Sequence, residues 1–155
     1  MTAAAPEPGQ VAPSFSTRNQ HGQQVRLSDV LGAPAVLVFY PWAFSGICTG
    51  ELGALRDGLV ASQTPDARVL AVSCDPMFSL RAFADQERLT FDLLTDHWPH
   101  GGIARAYGVF DEELGVARRG SFVLDASGTV TWRTLKGIGE ARDIAAHLAA
   151  LTALA

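Results

Sequence analysis

Cys48 is the residue whose setting points most directly to chemistry in this 155-residue chain. It lies in Pro41-Trp42-Ala43-Phe44-Ser45-Gly46-Ile47-Cys48-Thr49-Gly50-Glu51. The apolar run Ala35-Val36-Leu37-Val38-Phe39-Tyr40 precedes that stretch, and Leu52, Leu55 and Leu59 follow at the spacing of one helix face. A cysteine near a helix N-terminus meets unpaired backbone N–H groups and the positive end of the helix dipole, and both favour a thiolate over a thiol. Cysteine pKa values in such positions fall to roughly 3.5–7.5, and the thiolate is the nucleophile. The competing reading is a small buried hydrophobe, the usual fate of a free cysteine. Position alone leaves both open.

The elements that must hold Cys48 follow from periodicity. Residues 35–40 show no polar alternation, as expected of a central strand buried on both faces. Pro41 ends ladder pairing because it has no N–H. The helix that follows is expected to end around Ser62 to Pro65. Arg68 to Cys74 reads as a second apolar strand, and Asp75-Pro76 as the start of a helix with Asp75 as N-cap and Pro76 at N1. Leu80, Phe83 and Ala84 form the expected buried face of that helix. Strand–helix–strand–helix order implies parallel pairing with right-handed crossovers.

Upstream, Phe15 to Arg18 and Gln24 to Leu27 flank Asn19-Gln20-His21-Gly22, a hairpin pattern, and Ser28 to Gly32 reads as one helical turn. Downstream, Thr90 to Leu94 is a short strand, Asp96 to Gly102 a loop and Ile103 to Tyr107 a short helix. Gly120 to Leu124 and Thr129 to Thr134 make a second hairpin through Asp125-Ala126-Ser127-Gly128. From Glu140 onward, Ile144, Leu148 and Leu151 have helical spacing. The order predicts an α/β fold with a mixed central sheet and helices on both faces. A C-x-x-C redox pair is excluded at this site, because Ser45 stands where its first thiol would be.

Pro41, Ser45 and Cys48 form a P-x-x-x-S/T-x-x-C pattern with Glu51 three residues on, and this resembles the peroxiredoxin active-site motif. Phe44 to Leu52, Trp98-Pro99-His100-Gly101, Ala106 to Phe110 and Arg119 to Asp125 resemble one branch in particular, the one-cysteine alkyl hydroperoxide reductase E group. The resemblance covers roughly residues 9 to 154 and implies a thioredoxin-like three-layer sandwich with an N-terminal β-hairpin. It implies that Cys48 attacks a peroxide O–O bond and becomes a sulfenic acid, that Ser45 hydrogen-bonds the substrate and that Pro41 shields the thiolate. It also makes Arg119 the arginine that reaches the cysteine, with Arg118 as its competitor, and gives Glu51 a role in orienting that arginine. From its expected place in the first turn of the helix, Glu51 could equally serve the dipole. Ser45 departs from the commoner threonine, keeping the hydroxyl but losing the β-branch that fixes the rotamer. Developing charge on the two peroxide oxygens calls for donors, which Ser45 Oγ and the Ile47 and Cys48 N–H groups are expected to supply.

Cys74 is the second thiol. Position 53 is glycine and the C-terminal region has no cysteine, so two resolving positions used by relatives are empty. Cys74 is expected to be a buried structural thiol, with a resolving role as the alternative. Asp96, His97 and His100 form no metal site on spacing, since a catalytic zinc takes three protein ligands. His21 and His147 read as surface residues, and Trp42, Phe44 and Trp98 as either an apolar rim or core.

Composition bounds the rest. Hydrophobic residues make up 48% and charged residues 18%, an ordinary globular balance. Net charge is −4 and the pI near 5.5, with no basic patch, which argues against nucleic acid. No apolar stretch reaches the ~18 residues of a membrane span. Residues 1–8 are expected to be a disordered tail and 9–155 a single domain. The start of the chain does not read as a signal peptide, so a cytoplasmic location is expected. The leading expectation is a cofactor-free, metal-free peroxidase acting on hydrogen peroxide, organic hydroperoxides and peroxynitrite. The resemblance implies recycling by an external thiol of the mycothiol/mycoredoxin or thioredoxin type, and a homodimer. The alternatives are a peroxide sensor and a two-cysteine enzyme resolving through Cys74. A cysteine phosphatase would need C-x5-R, and position 54 is alanine.

Overall fold

The computed structural model describes residues 2–61 and 66–154. Its centre is a five-stranded sheet built from β3 (Ala35–Phe39), β4 (Arg68–Ser73), β5 (Asp92–Thr95), β8 (Arg119–Leu124) and β9 (Val130–Lys136), in the order β5-β4-β3-β8-β9. β3 lies in the middle, parallel to β4 and antiparallel to β8, and all five of its residues are buried. That explains the unbroken apolar run: both faces of β3 are covered, so no position is left for a polar side chain. β1 (Ser16–Arg18) and β2 (Gln24–Arg26) form the N-terminal hairpin, followed by the short α1 (Leu27–Val30). Two-residue strands β6 (Phe110–Asp111) and β7 (Val116–Ala117) pair in a hairpin absent from the sequence expectation.

Side chains alternate across the sheet and build two cores. Val36, Val38, Val69, Ala71, Leu93 and Val123 face one side. There they meet Leu52 and Leu55 of α2 (Gly46–Ala61), Leu80 and Phe83 of α3 (Met77–Glu87) and Leu151 of α5 (Ile144–Thr152). Leu37, Phe39, Leu70, Val72, Leu94, Phe122 and Leu124 face the other side. They meet Ala104 of α4 (Gly102–Ala106), Tyr107, and Leu27 and Val30 of α1. Helices therefore lie on both faces of a mixed sheet, as expected.

Several boundaries differ. The expected end of α2 at Ser62 to Pro65 lies outside the described residues. α3 begins at Met77 with Pro76 in the N-cap position and no side-chain cap. Asp75 does not cap it because its carboxylate is spent elsewhere, accepting from Ala43 N at 2.9 Å and Ser73 Oγ at 2.7 Å. α5 begins at Ile144 rather than Glu140, with Asp143 capping Ala146 N. Residues 3–6, expected to be part of a free tail, lie against the molecule. Ala3 N donates to Arg105 O at 2.9 Å, and Arg133 Nη1 donates to the carbonyls of Ala5 and Pro6. Backbone carbonyls, which every residue carries, tether this segment where its side chains offer little.

Candidate active site

Two crossovers bring the site together: α2 leaves the end of β3, and β8 returns beside β3 from far along the chain. Cys48 is the third residue of α2, wholly buried. Ser45 stands one residue before the helix, its Oγ 3.4 Å from Cys48 N. The turn into the helix is held by Asp75, through Ala43 N, and places Phe44 at φ 70°, a left-handed conformation uncommon outside glycine. Pro41 is buried, whereas Trp42 and Phe44 are exposed, so these aromatics form rim and not core. Trp98 is exposed too.

Adjacent arginines in an extended segment face opposite ways, and that separates the two candidates. Arg118 is exposed beside Asp111, with Nε 3.8 Å from its carboxylate. Arg119 is buried and donates from Nη1 to Cys48 Sγ at 3.3 Å and to Glu51 Oε1 at 2.6 Å, and from Nε to the Ile138 carbonyl at 2.7 Å. Gly120 lets this strand pack closely: a Cβ there would stand 2.6 Å from Val109 Cγ1.

Glu51 is buried in the second turn of α2, not the first, so it is not a dipole residue. Its other partner is Arg142, which the sequence did not reveal. Arg142 donates Nη2 to Glu51 Oε1 at 2.9 Å, and both Nε (2.9 Å) and its backbone N (2.7 Å) to Oε2. Its Nη1 reaches Phe39 O, Gly120 O and Ser121 Oγ at 2.7, 3.0 and 3.0 Å. Burial by itself would push the Glu51 carboxyl up. The hydrogen bonds and charge of Arg142, with the charge of Arg119, outweigh it and hold the carboxyl below its ordinary value.

His147 also differs from the sequence expectation. It is wholly buried, not on the surface, because α5 turns the face carrying Ile144, His147 and Leu151 toward the sheet. Its Nδ1 lies 2.7 Å from Asp143 O and its Nε2 2.7 Å from Ser121 Oγ.

Cys74 lies in the core on the opposite side of the sheet from Cys48. Burial first, then the nearby Asp96 and Asp75, push its thiol up to about 12. His100 Nε2 is engaged with Gly115 O, and its ring lies 6.3 Å from that of His97. Among the described residues, no group of three His, Cys, Asp or Glu is arranged to hold a metal ion.

A sheet of this order, with a buried cysteine at the start of the helix after its central strand and an arginine on the sulfur, defines a thioredoxin-fold peroxiredoxin. The AhpC/TSA family profile matches residues 8–133, and the chain belongs to that family. It is 46% identical over 147 residues to alkyl hydroperoxide reductase E of Mycobacterium tuberculosis, covering 94% of this chain and 96% of the relative. It is 34% identical over 128 residues to peroxiredoxin Bcp of Escherichia coli, covering 79% and 81%. The crystal structure of peroxidoxin BcpB from Mycobacterium tuberculosis superposes with a TM-score of 0.85 at 30% identity, over 97% of this chain and 99% of that one. No helix among the described residues is long and apolar enough to cross a membrane.

Proposed function

We propose that this chain is a thiol-dependent peroxidase that reduces hydrogen peroxide, organic hydroperoxides and peroxynitrite through Cys48. The observation that carries the reading is the Arg119 guanidinium donating to the Cys48 sulfur at 3.3 Å inside the Pro41–Ser45–Cys48 motif. A fixed guanidinium supports negative charge on sulfur and offers further donors to a peroxide oxygen. The Cys48 thiolate attacks one peroxide oxygen in line and the S–O bond forms as the O–O bond breaks; the departing oxygen takes a proton to leave as water or an alcohol, or leaves as nitrite when the substrate is peroxynitrite. Sulfur loses two electrons and the peroxide gains them. Ser45 Oγ is assigned to hydrogen-bond the peroxide, Pro41 to exclude water, and Glu51 to orient Arg119.

Recycling needs an outside thiol, because Cys74 lies in the opposite core as a tightly held thiol. One external thiol condenses with the sulfenic acid to a mixed disulfide and releases water, and a second thiol displaces Cys48. We assign the reductant to the mycothiol/mycoredoxin or thioredoxin type, the working unit to residues 9–155 as a homodimer, and the setting to the cytoplasm.

Intact-mass measurement after one equivalent of hydrogen peroxide tests this. The expected product gains one oxygen, is captured by a sulfenic-acid trap at Cys48, and is absent in Cys48→Ser. Loss of two hydrogens with a Cys48–Cys74 link would make Cys74 the resolving residue. An unchanged mass would remove the peroxidase reading.

A further inference from the structure

Behind the arginines lies a second buried polar layer that touches neither sulfur nor substrate. Resting on the peroxidase reading above, we propose that His147 and Ser121 are positioning residues: they fix Arg142 and, through Glu51, hold Arg119 on the Cys48 sulfur.

The hydrogen-bond chemistry allows one arrangement. Arg142 Nη1 can only donate and shares its two hydrogens among Phe39 O, Gly120 O and Ser121 Oγ, so Ser121 Oγ accepts from it at 3.0 Å. The Ser121 hydroxyl hydrogen is then free for His147 Nε2 at 2.7 Å, which must be the unprotonated nitrogen. The Nδ1–H of the same ring donates to Asp143 O at 2.7 Å. The chain runs His147, Ser121, Arg142, Glu51, Arg119, Cys48, and each link is a hydrogen bond.

Its members are closed off from water, with His147 and Ser121 fully buried and Arg119, Glu51 and Arg142 at most 6% exposed. A lost partner therefore has no solvent substitute. The last link is the sensitive one. Arg119 Nη1 is shared between Glu51 Oε1 at 2.6 Å and Cys48 Sγ at 3.3 Å, so movement of Glu51 drags the donor across the sulfur.

Burial favours the neutral imidazole. One carboxylate, Glu51, already serves two guanidinium cations. The charged groups facing His147 are Arg142 and Asp143 from the segment before α5 and Glu51 from α2, while the sheet presents uncharged Ser121 and Trp132. Burial, reinforced by Arg142, holds His147 below its ordinary value despite the opposing Glu51 and Asp143. An imidazolium would put two donors on Ser121 Oγ and leave the serine hydrogen without a partner.

The test is the second-order rate of Cys48 oxidation by hydrogen peroxide, measured by stopped flow on the full chain well below its melting temperature. Ser121→Ala and His147→Leu are each expected to be about tenfold slower per folded molecule. His147→Gln, whose amide oxygen can accept from Ser121, should recover most of that loss. Leu151→Ala, a core change outside the chain of bonds, should lower melting temperature without a comparable fall in rate. Should His147→Leu not fold, Ser121→Ala removes a single oxygen and carries the same comparison. Variants within about twofold of wild type, or a glutamine as slow as the leucine, would overturn the proposal alone. A wild-type chain inert to peroxide would overturn the reading of the site, and the proposal with it.

Discussion

Cys48 and Cys74 are both free and buried, and they lie on opposite faces of one sheet with opposite surroundings. Cys48 faces a guanidinium 3.3 Å from its sulfur, whereas Cys74 is crowded by the carboxylates of Asp96 and Asp75. Burial is common to both, so burial does not separate them. Their nearest charges do: a cation stands beside one sulfur and carboxylates beside the other, and in a water-poor interior a charged neighbour is barely screened.

The sharpest way to break that comparison is to exchange each sulfur for oxygen. Cys48→Ser is expected to lower peroxide consumption by at least about a thousandfold, and Cys74→Ser to stay within about twofold, in a coupled turnover assay. Loss of turnover in Cys74→Ser would mean that both faces share in the chemistry.

A smaller effect comes from the carboxylate behind Arg119. Glu51→Gln leaves two buried guanidinium groups without their counter-charge, and denaturant titration should show a loss of about 3–5 kcal/mol. The pH dependence has a definite sign. The folded Glu51 carboxyl lies below its ordinary 4.5, so its contribution is complete above that value and is lost as pH falls through the folded one. Wild type and Glu51→Gln should therefore converge in stability toward strong acid.

The smallest effect lies on the other face and runs the opposite way. Asp96 accepts from Ile103 N and Ala104 N, yet burial pushes its carboxyl from 3.8 up to about 6. The folded state then holds this proton more tightly than the unfolded one. Its contribution is complete below 3.8 and is lost as pH rises through about 6. Relative to Asp96→Asn, wild type should lose on the order of 3 kcal/mol across that window, read from denaturation midpoints at each pH. A flat difference would show that the amide N–H groups of α4 cancel the burial.

Features written within a few residues were legible in the sequence. The unbroken run that became β3, the Leu80, Phe83 and Ala84 face of α3, and the cysteine at the strand-to-helix join are local patterns. The family motif added Arg119, and the structure supplies a reason to prefer it over Arg118, since neighbours in an extended segment face opposite ways. Arg142 was not legible, because its carboxylate partner lies 91 residues earlier and it stands in a stretch that reads as helix. His147 carried a usable signal: it falls three residues after Ile144 and four before Leu151, on the same helical face. The type of residue, intermediate between the buried and the exposed, left its position open.

The separation of Cys48 from Arg119 by 71 residues, and of Glu51 from Arg142 by 91, also has a consequence in time. At typical synthesis speeds Arg119 is added roughly 4–14 s after Cys48. During that interval the nascent chain holds a cysteine without its guanidinium. The pairing is therefore a product of completed long-range folding, and a half-made chain carries its cysteine without that partner past the oxidants that the finished protein is built to meet.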